Sequence, residues 1–449
     1  MSFSLLTDWR DRLTHRRVWA LAAPMILSNI SVPLVALVDS TVIGHLPHAH
    51  QLGAVAVGAS LYVFLAWMMG FLRMGTTGFA AQAAGRGDGT ALRQILLQGL
   101  LLSVLLSLFL GAIALPFSSL AMTVMQPSPE LHQLTLDFFY TRLFGLPGAL
   151  ATYALVGWFL GTQNARAPLG ILLTTNLVNI ALNLWFVLGL DWGVVGSARA
   201  SVVAEWSGAL LGLWLTRGAL RRFPGRVMWQ ALRVWQNWKP LLGVNRDIFI
   251  RSLMLQSVFF LITLQGARLG DATVAANALL LNGLLLAAHA LDGLAHAVEA
   301  LCGHAIGARD RTALRRSMVV ASGWSLIASA GFAVLFLFGG HLFIEMQTDI
   351  PSVRETAFHY VPYLALLPLI AVWSYLLDGL FIGATRAREM RNAMVISVIV
   401  ALPVAWAMQR LGNHGLWISF LLFMVLRSLT LAAYAWTMQR KDQWFNPNA

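Results

Sequence analysis

The chain has 449 residues, 58% of them apolar and 11% charged, with a formal net charge of +12. Soluble domains carry about 25% charged residues, so the composition excludes a soluble globular protein and makes lipid the solvent for most of the surface. The 38 glycines permit close helix packing, the 17 tryptophans suit a membrane interface, and the single cysteine, Cys302, excludes an intrachain disulfide framework.

The opening, MSFSLLTDWRDRLTHRRVW, is polar and basic over its first 17 residues. It has no short apolar core with a small-residue cleavage site, so it reads as a cytoplasmic segment and not as a secretory signal. Twelve apolar spans follow, centred near residues 31, 66, 106, 148, 180, 206, 258, 286, 327, 370, 402 and 426. With the N-terminus inside, the cytoplasmic segments hold 23 of the 31 Lys and Arg, while the external loops hold three, Arg268, Arg354 and Arg410. That asymmetry is the positive-inside rule and predicts a multi-pass protein with both termini cytoplasmic. The basic excess therefore reads as topology and lipid contact, and nucleic acid is not expected as a partner.

Span 1 holds Pro24, Pro33 and Asp39. A proline in a spanning helix removes a backbone hydrogen bond. Pro33 is then either static curvature or a hinge that repositions Asp39, six residues later. Asp39 lies in VPLVALVDSTVIG with no Lys or Arg within one or two turns. Burial without a cation favours the protonated form of such a carboxyl. That suits a proton carrier; the alternative is a neutral acid hydrogen-bonded to a neighbouring helix.

After span 2 comes AAGRGDGTALRQ (83–94), which returns as AIGARDRTALRR (305–316) with seven of twelve positions agreeing, where chance gives roughly one. At the same offset of 222 residues, LVGWFLGTQNAR (155–166) faces LDGLFIGATRAR (377–388) and Gly193 faces Gly415; Pro147 in span 4 faces Pro368 in span 10 with a one-residue drift. The chain is one unit written twice. Thr90 and Thr312 are expected to start short interfacial helices, with Asp88 and Asp310 near their positive ends. Six spans per half keep the halves in one orientation. The expected fold is therefore an all-α integral membrane protein of twelve transmembrane helices. They form two six-helix bundles (1–215 and 248–449) related by a pseudo-two-fold along the membrane normal. Residues 216–247 form a basic cytoplasmic linker, and its Trp229, Trp235 and Trp238 suggest either an amphipathic surface segment or a plain connector.

Ionisable groups inside the membrane need a reason. The acids are Asp39, Glu205 in span 6, Asp292 and Glu299 in span 8, and Asp378 in span 10; the bases are Arg73, Arg142, Arg199, Arg251 and Arg427. Arg142, Arg199 and Arg251 lie near span ends and are expected to snorkel to the interface. His289, Asp292, His296 and Glu299 line one face of span 8, but ligands in series along one helix cannot close a metal tetrahedron. A wetted cavity wall, or a pair with Arg251 or Arg73, fits them better. Asp39 faces Leu261 across the repeat and Asp378 faces Val156, so the halves have diverged where charge matters.

The runs LAAPMILSNISVPLVALVDSTVIGHL (21–46), LGAVAVG (52–58), QAAGRGD (82–88), and NLVNIALN and GVVGSARAS (within 176–201) resemble those of multidrug and toxic compound extrusion (MATE) transporters. LDGLFIGATRAREM (377–390) and DGLAHAVEAL (292–301) look most like the DinF branch, and the resemblance covers essentially the whole chain. It implies a V-shaped pair of six-helix bundles, a monomer in the bacterial inner membrane. Such a protein exports amphipathic, often cationic compounds against inward H⁺ or Na⁺. It implies no cofactor, no metal and no catalytic residues: a secondary active transporter, not an enzyme. In DinF-type relatives the acid matching Asp39 is the protonation switch, with Asn179, Asn183 and Ser201 at the neighbouring positions. Asn183 departs from the carboxylate frequent there, which favours H⁺ over Na⁺; Glu205, one turn beyond Ser201, is the alternative source of a second acid. The C-terminal half offers Asp292, Glu299, Asp378 and Arg251 as site candidates. The runner-up readings are a flippase for a lipid-linked headgroup and a membrane enzyme or receptor, for which only the span 8 histidines offer material.

Overall fold

Apolar runs in lipid must close their own backbone hydrogen bonds, and helices make up 89% of the chain, with no strand among the described residues. The computed structural model describes residues 2–44 and 49–445; within these, the side chains of 2–5, 32–37, 39, 40, 43 and 49 lie outside the described residues. The helices of the first part are α1 (Ser2–Trp9), α2 (Arg12–Gly44), α3 (Ala49–Met68), α4 (Phe71–Gly85), α5 (Gly89–Met125), α6 (Pro129–Leu143), α7 (Leu146–Gly161), α8 (Arg166–Asn183) and α9 (Gly193–Leu220). The second part holds α10 (Lys239–Arg268), α11 (Asp271–Gly307), α12 (Arg311–Glu345), α13 (Pro351–Gly383), α14 (Ala387–Met408) and α15 (Gly412–Arg440). Eight helical segments among the described residues are long and apolar enough to cross a membrane, or nine if α6 and α7, bent by 47° at their junction, form one span. Large apolar side chains point outward, among them Phe338 (82% exposed) and Met346 (79%), as a lipid-facing surface requires.

The duplicated segments start helices, although not as expected. Asp88 itself caps α5, accepting from the amides of Thr90 (3.1 Å) and Ala91 (2.9 Å), and Asp310 caps α12 through the Ala313 amide (2.9 Å). The helices that follow have 37 and 35 residues, so they are long rods and not short interfacial pieces. The repeat also recurs in the backbone. Gly87 and Arg309 are left-handed (φ 71° and 56°), as are Gln163 and Thr385 (58° and 57°), each pair separated by the same 222 residues. Gly157 packs α7 on the Arg73 carbonyl of α4, where a Cβ would come within 2.3 Å; Gly379 packs α13 on the Ala295 carbonyl of α11, where it would come within 2.7 Å.

Span 4 and its counterpart differ. Pro147 lies in the first turn of α7, just past the break, where its missing N–H costs nothing. Pro368 lies inside the continuous α13.

The chain forms two compact units, residues 27–242 and residues 1–26 with 243–449. The division therefore falls within α2 as well as at the start of α10. In the second unit, α1 lies on α12. Asp8, 2% exposed, pairs with Arg315 (2.7 Å) and Arg316 (3.5 Å), and the Trp324 indole donates to His15 Nδ1 (2.9 Å). In the first unit Arg93, the repeat counterpart of Arg315, donates to the carbonyls of Gly89, Leu220 and Phe223 and so closes the end of α9. The linker after α9 forms two short 3₁₀ turns, Trp229–Arg233 and Trp235–Asn237; Trp229 and Trp235 are exposed and Trp238 is buried.

Candidate functional site

In the first unit the predicted neighbours come together. Asn179 on α8 donates to Ser201 Oγ on α9 (2.9 Å), and Asn183 Nδ2 donates to Asn179 Oδ1 (3.2 Å). Asn183 is fully buried and Asn179 is 7% exposed. Directly after Asn183 the helix widens into a π-helical stretch, Leu184–Gly189, a departure that tends to mark working segments of helices. Asn176 Nδ2 donates to Ser31 Oγ (2.8 Å), tying α8 to α2. Asp39 and Pro33 are carried by α2, and their side chains lie outside the described residues.

Glu205 has partners of its own. Arg142 Nη2 donates to its Oε1 (2.9 Å), and the Tyr62 hydroxyl donates to the same carboxylate (3.0 and 3.1 Å). The Arg142 guanidinium also lies 3.9 Å from the centroid of the Tyr62 ring, adding a cation–π contact. The cluster occupies the break in span 4. Glu205 Oε2 lies 1.9 Å from where a Cβ on residue 145 would stand, so Gly145 is what admits the carboxylate. The Trp206 indole donates to the Phe144 carbonyl (2.9 Å), satisfying an acceptor beside the break. Arg142 therefore does not snorkel; it is buried against an acid.

In the second unit Arg251 on α10 and Arg427 on α15 both donate from Nη2 to the same oxygen, Oδ2 of Asp378 on α13. The three side chains are 8%, 2% and 8% exposed respectively, so Arg251 does not snorkel either. Asp378 Oδ1 and the Nε atoms of both arginines are buried without a hydrogen-bond partner. The Arg427 guanidinium lies 5.9 Å from the Tyr375 ring centroid, and Asp292 on α11 is within electrostatic range of Arg251 and Tyr375. Further along α11, His296 Nδ1 lies 3.4 Å from Glu299 Oε1. His289 Nδ1 lies 2.6 Å from the Leu285 carbonyl, so the span 8 row splits among different partners. Arg199, by contrast, is exposed, with its guanidinium 5.2 Å from the Trp192 ring. No group of three His, Cys, Asp or Glu able to hold a metal occurs among the described residues.

A cavity of about 350 Å³ opens between α10, α14 and α15, walled by Ile262, Leu402, Phe420 and Phe423, with Gln265, Arg268, Gln409 and Ser419 supplying polar atoms. Sequence reasoning missed Tyr62 and the partnerships of Arg142 and Arg427. The available signal was the near-equal number of acids and bases inside the membrane, which lipid obliges to pair.

The profile of the family described as MatE matches residues 24–185 and 248–407, one match in each half. The chain is 42% identical over 438 residues to the DNA damage-inducible protein F of Escherichia coli (strain K12), covering 96% of this chain and 94% of that protein. It is 25% identical over 438 residues to the multidrug resistance protein PmpM of Pseudomonas aeruginosa, covering 91% and 88%. Among solved structures, an outward-facing multidrug resistance MATE family transporter superposes with a TM-score of 0.84 at 18% identity, covering 96% of each chain, a likeness of fold. The chain belongs to the MATE family and is accordingly a multi-pass membrane secondary transporter, not an enzyme.

Proposed function

We propose that the protein exports amphipathic, often cationic compounds by alternating access, driven by inward proton flow coupled at Asp39. The observation that carries this reading is the commitment of two membrane carboxylates to arginine: Glu205 is held by Arg142, and Asp378 by Arg251 and Arg427. Neutralising an acid held by arginine leaves a buried guanidinium uncompensated, at a cost of about 3–5 kcal/mol. Asp39 has no Lys or Arg within two turns of its own helix. The Asn179–Asn183–Ser201 network is uncharged; it can donate to or accept from a carboxyl in either protonation state but cannot neutralise a bound Na⁺.

In this reading deprotonated Asp39 supports the substrate-binding form, external protons neutralise it, α2 bends near Pro33, and substrate leaves outward. A potential of about 100 mV supplies roughly 2.3 kcal/mol per charge moved, a bias of several tens-fold between two states, to which a pH gradient adds.

The twelve-span arrangement follows if the bent α6–α7 pair is one span, α2 and α9 are counted, and the 54-residue segment Ala387–Arg440 is taken as two spans. At ~1.5 Å per residue it would reach about 80 Å, over twice a ~30 Å hydrocarbon core, and a 3₁₀ turn at Gln409–Leu411 interrupts it. Bundles 1–215 and 248–449 then relate by a pseudo-two-fold along the membrane normal. Both termini are cytoplasmic, and the protein is a monomer of the bacterial inner membrane. The test is uptake of a fluorescent cationic dye into everted vesicles, where export is directed to the lumen. A pH gradient alone is expected to drive it; uptake that needs a Na⁺ gradient would overturn proton coupling.

A further inference from the structure

A guanidinium offers five N–H donors in a plane, and its saturated partner is a carboxylate bound bidentately. Neither arginine of the second unit has that partner. Both crowd one oxygen of Asp378, and both Nε groups and the second carboxylate oxygen are left without a hydrogen bond in a buried setting. Such a cluster holds more directed donor capacity than Asp378 uses. The charged and titratable groups around it are Asp292 on α11 and Tyr375 on α13, and the nearby His296 and Glu299 pair with each other.

The cavity between α10, α14 and α15 shares two helices with this cluster, although Arg251, Arg427 and Asp378 are not among the residues that line it. Phe423, in its wall, lies one helical turn before Arg427 on α15. Side chains on a helix lean toward its N-terminus, so Arg427 leans toward Phe423, while Arg251 leans away from Val258. Val258 of the wall lies two turns beyond Arg251 on α10. The volume of about 350 Å³ is that of a small-ligand pocket, mostly apolar with a few polar groups.

We propose that Arg251 and Arg427 form an anion-binding site one to two helical turns beyond the lining of this cavity, taking an amphipathic organic carboxylate or sulfonate in exchange for Asp378. This rests on the transporter reading above and extends its substrate range beyond cations. The apolar body of the ligand fills the cavity and its anionic head takes the guanidinium donors. Asp378, displaced, is neutralised by a proton, so the cluster keeps its charge. The repeat counterpart of Arg427 is Glu205, an acid, so the two halves are not expected to share this selectivity.

The test uses the purified full-length protein in detergent and two matched probes, 1-pyrenebutyrate and 1-pyrenebutyltrimethylammonium, with binding read by fluorescence anisotropy. Arg251→Gln and Arg427→Gln are each expected to weaken the anion at least tenfold without weakening the cation. Asp378→Asn removes the competing carboxylate and is expected to tighten the anion several-fold. Where a single arginine variant does not fold, Arg251→Gln combined with Asp378→Asn removes one charge of each sign. That double variant is expected to bind the anion more weakly than Asp378→Asn alone. Anion affinity within twofold of wild type in the arginine variants overturns the proposal, as does loss of both probes together, or weakening by Asp378→Asn. The vesicle uptake assay is independent: its failure removes the proton-driven exporter and leaves the binding result in place.

Discussion

Glu205 and Arg427 stand 222 residues apart, the offset of the duplicated segments, and each anchors a buried ion pair of opposite sense. Glu205 accepts from Arg142 at 2.9 Å, whereas Arg427 donates to Asp378. One ancestral helix position has thus become an acid in one half and a base in the other, each with a partner drawn from a different helix of its own unit.

The Glu205 pair predicts a non-additive pattern. Glu205→Gln leaves Arg142 buried without a counter-charge and should lower stability by about 3–5 kcal/mol, read as a reduced thermal midpoint in detergent. Adding Arg142→Gln should recover a large part of that loss. A double variant that loses the sum of the two singles would show that the residues do not interact.

Gly145 should tolerate nothing larger. A Cβ at this position would stand 1.9 Å from Glu205 Oε2, so Gly145→Ala must expel the carboxylate or open the α6–α7 break. Overpacking of this kind costs about 1–3 kcal/mol. In the Glu205→Gln background the added cost of Gly145→Ala should change, because the same contact is altered twice.

The helix caps predict a small, paired effect. Asp88→Ala and Asp310→Ala each remove the side chain that receives the first free amides of α5 and α12. Each should cost about 1 kcal/mol. If one is neutral while the other is costly, the duplicated segments no longer do the same job.

Docking of the N-terminal segment should depend on Asp8. It is nearly fully buried and paired with Arg315 and Arg316, so Asp8→Asn is expected to raise amide exchange across residues 6–15 without changing exchange in α13. Unchanged exchange in that segment would mean that the Trp9, His15 and Trp324 ring contacts hold α1 alone.

The duplication was legible because it is written in local chemistry. The left-handed positions at 87 and 309 and the caps at 88 and 310 depend on residues near in sequence. Composition and cation asymmetry announced a membrane protein for the same reason. The ion pairs were not legible. Arg142 and Glu205 are 63 residues apart, and Arg251 and Asp378 are 127 apart; only helix packing decides who meets whom. Arginines near span ends looked free to reach the interface. Burial against an acid on a neighbouring helix overrode that local expectation at 142 and 251, and not at 199. The break in span 4 was hidden because Pro147 pointed to a kink within a helix, while the chain ends α6 before Gly145 and uses the proline to start α7.

The central claim is that a proton exchanged at Asp39 drives export, and Asp39→Asn in proteoliposomes with an imposed pH gradient tests it most directly. The variant should insert and fold with a thermal midpoint near that of wild type and should lose gradient-driven transport of a cationic dye. Wild-type transport rates in Asp39→Asn would contradict the account.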